Sequence, residues 1–147
     1  MNRPEVPKLF FSKEEQDRII AEVSAAERKT SAEIVVRLER NCPGDPLVRC
    51  RDLLQSLGIT QTKSRTGVIV YISLEDHKVA VFGDEAVHRV IGQQRWVKVC
   101  GQLAEGFKAE KPCDALCDAI REISEILKEP LPYRPGDVNE LPNEISV

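Results

Sequence analysis

Residues Gly67 to Leu74, GVIVYISL, form a nearly unbroken apolar run of strand length. A run without polar alternation has no face to give to water, so it reads as a central strand covered by helices on both sides. Glu75 and Asp76 then form a short turn, and HKVAVFG returns as a second strand paired antiparallel to the first. Upstream, AEIVVRLE (Ala32–Glu39) is β-branched and partly alternating, a further strand. It is separated from the apolar run by the turn cluster Asn41-Cys42-Pro43-Gly44-Asp45 and a helix carrying Leu47, Cys50, Leu53, Leu54 and Leu57 inward up to Gly58. Strand, helix, strand and hairpin in that order predict a mixed sheet, with the first two strands parallel through a right-handed crossover.

Helices surround these strands. Ser12-Lys13-Glu14-Glu15 is a capping-box pattern opening a helix to about Lys29, with Ile19, Ile20, Val23 and Ala26 on one face and Arg28 and Lys29 in its last turn. Asp45 is placed to cap the second helix, with Pro46 at its first position. A short helix begins at Asp84, and a longer one over residues 93–109 carries Trp96, Val99, Cys100, Leu103 and Phe107, interrupted by Gly101 and Gly106. Pro112 opens a last helix bearing Leu116, Ala119, Ile120, Ile123 and Leu127. Residues 10–130 read as a single domain and 131–147 as a Pro-rich tail, an extended segment suited to docking on a partner protein.

At 147 residues, with 41% hydrophobic and 31% charged residues, the chain can bury its own core as a globular monomer. A formal charge of −3 and a pI near 5.5 weigh against nucleic acid, which needs a basic face. No stretch approaches the roughly 18 apolar residues of a membrane-spanning helix. The N-terminus lacks a secretory pattern, and five widely spread cysteines suit a reducing compartment, so a cytoplasmic protein is expected.

Two acidic clusters are candidate sites. Glu75 and Asp76 lie at the carboxyl end of the central strand, with Glu39 at the end of its parallel neighbour. Ligands of α/β sheets gather at that edge, and carboxylates there are oxygen ligands for Ca²⁺ or Mg²⁺ or simply polar turn residues. At the other edge Asp84, Glu85 and His88 fall beside Glu33, Ser64 and Arg65, a mix that a phosphate or metal site would use, although Asp84 equally serves as a helix cap. His88, four residues beyond Asp84, can meet it on one helix face. With strands rising about 3.3 Å per residue the two clusters sit about 20 Å apart, so they cannot form one site. The cysteines show no zinc pattern, Cys50, Cys100 and Cys117 reading as buried small hydrophobes.

The opening stretch FSKEEQDRIIAEVSAAERKTSAEIVVRLE, the segment TGVIVYISLEDHKVAVFGDEAVH and the helix pair to about Leu127 together resemble the TPM domain family of thylakoid-lumen phosphatase-like and photosystem-repair proteins and their bacterial relatives. The resemblance implies an α/β/α sandwich with a small mixed sheet of three to four strands and four or five helices. It also implies divalent-metal binding (Ca²⁺ or Mg²⁺) at Glu75 and Asp76 and acid-phosphatase-like activity, as in some members. The segment FGDEAVH departs from the Gly-Tyr-Gly-rich stretch of exported members. The alternative is a non-catalytic adaptor acting on protein or membrane-complex assembly, with no organic cofactor in either case.

Overall fold

The apolar run GVIVYIS becomes strand β2 (Gly67–Ser73), and every one of its residues is buried. A computed structural model describes residues 3–58, 65–134 and 143–147 of the chain. Strand β1 (Glu33–Glu39) pairs parallel with β2, and β3 (Lys78–Gly83) pairs antiparallel with it, as the order of elements predicts. A short strand, β4 (Ile145–Ser146), adds parallel to the outer edge of β1 at Val36 and Arg37, giving the order β3-β2-β1-β4. The end of the Pro-rich tail is therefore part of the sheet. Its first residues are also anchored, because Pro132 bridges Thr30 and the Thr30 hydroxyl donates to the Leu131 carbonyl at 2.5 Å.

Alternate residues of the sheet face two cores. Ile34, Val36, Leu38, Val68, Val70 and Ile72 pack against helices α1 (Lys13–Ala26), α4 (Val97–Lys108) and α5 (Pro112–Leu127). Ile69, Tyr71 and Ala80 meet Cys50, Leu53 and Leu54 of α2 (Pro46–Ser56) on the other face. Three layers result, with five α-helices around a four-stranded mixed sheet among the described residues. Each apolar side chain so removed from water contributes roughly 1.5–3 kcal/mol, which is why the central strand carries no polar face.

Local signals set most boundaries. The Ser12–Glu15 capping box forms in both directions, at 3.1 and 3.0 Å, and Asp45 accepts from the Leu47 amide at 2.9 Å. Gly58 takes φ +76 just past α2, the left-handed geometry that ends a helix cheaply in glycine. Three expectations are revised. Helix α1 stops at Ala26, so Arg28 and Lys29 lie beyond it, and Lys29 reaches Glu125 of α5 instead. The predicted helix over 93–109 is a 3₁₀ turn (Gln93–Trp96) followed by α4, the turn being tied to β3 by Gln93 Nε2 donating to the Val81 carbonyl at 2.8 Å. Leu57 is exposed, because α2 ends before its apolar stripe returns to the sheet.

Candidate functional site

Pairing of Glu39 with Ser73 puts Glu39, Glu75 and Asp76 at one edge of the sheet, as the parallel arrangement requires. Each carboxylate has its own partners there. Glu39 Oε1 accepts from Arg49 Nε at 2.9 Å and from the Tyr71 hydroxyl at 2.7 Å. Its Oε2 accepts from Arg49 at 2.5 Å and Arg37 at 3.0 Å. Burial by itself would push this carboxyl up, but the hydrogen bonds from Arg49, Tyr71 and Arg37 outweigh it and hold Glu39 down at about 2. Four donors saturate a carboxylate, leaving no lone pair for a metal ion.

Glu39→Gln is expected to cost about 2 kcal/mol in urea unfolding at pH 7, because Arg37 loses its counter-charge while staying largely buried. A folded-state value depressed to about 2 means stability that is complete above the unfolded value near 4.5 and lost as pH falls through 2. Wild type and Glu39→Gln should therefore converge in acid, and a gap that persisted at pH 2 would contradict the assignment.

Asp76 fastens the β2–β3 turn to the loop that follows β1. The Ser73 hydroxyl donates to its Oδ1 and the Cys42 amide to its Oδ2 at 2.7 Å. Hydrogen bonding from Ser73 is the first cause holding the Asp76 carboxyl below its ordinary range. Lys78 sends its ammonium to the carbonyls of Cys42 and Gly44, at 2.7 and 2.9 Å. Glu75 turns outward and pairs with Arg40 at 2.9 Å, both exposed. The three residues expected to hold Ca²⁺ or Mg²⁺ thus share an edge but fit a common ion poorly. Among the described residues no group of three or more His, Cys, Asp or Glu side chains is arranged to hold a metal.

At the opposite edge Asp84 is 4% exposed and does the work of a cap. Its carboxylate accepts from the Glu85 amide at 2.7 Å and takes both arms of Arg65, at 2.9 and 2.8 Å. It opens α3 (Glu85–Ile91). His88 is exposed, and its bond to Asp84 is the helical one from its amide to the Asp84 carbonyl, 2.8 Å. Glu33 sits at the start of β1, its amide donating to the Thr66 carbonyl at 3.1 Å, and Ser64 lies outside the described residues. Among the described residues Arg65 joins Asp84 and Glu85, lying 3.6 Å from the latter, and His88 lines the same pocket as these three.

One feature of the carboxyl edge was missed in the sequence. A cleft of about 440 Å³ opens between the β2–β3 turn, α4 and the N-terminal arm. Ile72, Leu74, Val79, Phe10, Ala104 and Phe107 wall it, and Arg3, Glu5, His77 and Lys108 stand among its polar lining. The arm is held firmly. Phe10 and Phe107 rings are parallel with centroids 5.9 Å apart, and Arg3 lies 5.4 Å above the Phe10 ring. Glu15 accepts both arms of Arg3, at 2.5 and 2.7 Å, and hydrogen bonding from that guanidinium is the main reason its carboxyl sits at about 2. His77, in the lining, adopts φ +57, a left-handed conformation that histidine takes more readily than most non-glycine residues. The paired phenylalanines of the arm were the available signal, but their partner Phe107 lies far along the chain.

The fold and this edge define a class: a small three-layer α/β domain with a mixed sheet and an apolar cleft at the carboxyl ends of its parallel strands. The family described as the TPM domain matches residues 7–126, and the chain belongs to it. The chain is similar to the BA42 protein of the psychrophilic bacterium Bizionia argentinensis, whose structure was solved by NMR. That likeness has 31% identity and a TM-score of 0.85, covering 93% of this chain and 94% of the other. The N-terminal domain of a P. gingivalis protein, at 13% identity and a TM-score of 0.69, shares the fold over 82% of this chain and 78% of that one. None of the curated proteins matches this chain.

Proposed function

We propose that this protein is a non-catalytic binding module of the cytoplasm, a monomer that takes an apolar anchor of a partner protein into the cleft between the β2–β3 turn, α4 and the N-terminal arm. Its work then lies in protein or membrane-complex assembly. The cleft carries this reading: it is concave, walled by aliphatic and aromatic groups, and stands at the sheet edge where α/β folds take ligands. Charges of both signs in its lining, Arg3 and Lys108 against Glu5 and Glu110, suit a peptide backbone with mixed flanks better than a single anionic group. Among the described residues no helix is long and apolar enough to cross a membrane. A divalent-metal-dependent phosphatase has weaker support, because Glu39, Glu75 and Asp76 are each engaged within the chain.

The test is an amide-shift titration with short peptides bearing Leu or Phe anchors. Saturable shifts are expected at Ser73, His77, Ala104 and Phe107, with binding weakened about tenfold or more when Ala104→Arg fills the cleft. Shifts that ignore Ala104→Arg would overturn the cleft as the seat. Turnover of p-nitrophenyl phosphate that needs Ca²⁺ or Mg²⁺ and vanishes in Asp76→Asn would restore the phosphatase reading.

A further inference from the structure

The Lys78 ammonium occupies an oxygen-lined seat. Two backbone carbonyls, Cys42 at 2.7 Å and Gly44 at 2.9 Å, accept from it, and Asp76 Oδ2 stands 3.9 Å away. Gly44 holds φ +96, a left-handed geometry that glycine takes without strain. The same Asp76 oxygen accepts from the Cys42 amide, so the loop after β1 and the β2–β3 turn are locked to one another around the cation. Carbonyl and carboxylate oxygens are the donors that a hard cation selects. Here the chain supplies the cation itself.

We infer that this is a cation seat filled by the protein's own lysine, so that the acidic turn at the carboxyl edge is assembled without a metal ion. One carboxylate and one ammonium already balance in charge. A divalent ion entering beside Lys78 would meet a like charge, and Glu39 has no lone pair left to offset it. Removing the ammonium leaves two carbonyls and a carboxylate facing one point, a partial ligand set that Ca²⁺ completes with water.

Lys78→Met keeps the apolar stem and deletes the charge. On adding Ca²⁺, saturable amide shifts at Cys42, Gly44 and Asp76 are expected in Lys78→Met, with affinity at least about tenfold above wild type, and lost again in Lys78→Met with Asp76→Asn. Equal affinity in wild type and Lys78→Met, or no saturable binding in Lys78→Met, overturns the inference. A measurement on the unmutated chain stands beside it in case Lys78→Met does not fold. The Lys78 ammonium ¹⁵N resonance should be slowed in exchange and unmoved by Ca²⁺, and its displacement by the ion would refute self-occupancy.

Discussion

Replacing Glu27 by Gln is expected to stabilise the fold by about 2 kcal/mol at pH 8 and to change it little at pH 4. Glu27 lies just past α1, half-buried, with Oε2 accepting from the Ile34 amide at 2.8 Å and Oε1 buried with no hydrogen-bond partner among the described residues. Burial pushes its carboxyl up to about 7, and the neighbouring Glu33 charge adds to this, while the Ile34 amide and the Asn143 side chain pull the other way. Below about 4.5 the group is protonated whether the chain is folded or not, so it has no pH-dependent effect there. Between 4.5 and 7 the unfolded chain gives up a proton that the folded chain retains, and stability falls as pH rises. Above 7 the full penalty of an ionised, poorly solvated carboxylate remains. Each pH unit of displacement is worth about 1.4 kcal/mol, reduced here because part of the group reaches water. Gln keeps an oxygen for the Ile34 amide without the charge. Urea unfolding of both proteins at pH 4 and pH 8 measures the effect, and a difference of equal size at both would show that charge is not its cause.

Two glycines of α4 should respond to alanine with opposite sign. A methyl on Gly101 meets nothing within 4 Å, so Gly101→Ala gains only helix propensity, about 1 kcal/mol. At Gly106 the added carbon would overlap the Cβ of Ala115 in α5. Little can yield there. The α4–α5 turn closes with the Lys111 amide on the Gly106 carbonyl at 2.9 Å and the Glu110 amide on that of Phe107 at 3.1 Å, with Glu110 at φ +62. These paired bonds fix the angle at which the helices leave the turn. Gly106→Ala is therefore expected to lose about 1–3 kcal/mol net, the overpacking cost exceeding the propensity gain. It would also shift Phe107 and with it one wall of the cleft. Denaturation midpoints moving in the same direction for both variants would contradict the close approach.

Much of the architecture could be read from short stretches of sequence. GVIVYIS has no polar face, so it had to be covered on both sides. The Ser12–Glu15 and Asp45–Pro46 patterns are caps whose donors and acceptors lie within a few residues, and both form as written. Alternation along the strands, together with the strand–helix–strand order, placed Glu39, Glu75 and Asp76 at one edge and Asp84 at the other. What could not be read is what those side chains hold. Glu39 is neutralised by Arg49 ten residues on and bonded by Tyr71 thirty-two residues on, and Lys78 reaches carbonyls more than thirty residues back. Such pairs carry no periodicity, because any charged residue can meet any other once loops close.

The same holds for the cleft, built from an N-terminal arm, a hairpin turn and α4, and for Ile145–Ser146, whose pairing with β1 depends on a strand more than a hundred residues earlier. The sequence by itself determined the elements, their order and the edge at which each acidic cluster lies, since these follow from local periodicity, capping and strand pairing. Only the tertiary structure decided that the acidic edge is internally neutralised and that an apolar cleft opens beside it. The reason is physical: where charges and apolar walls converge depends on how helices pack across the sheet, and that is set by shape complementarity among residues far apart in the chain.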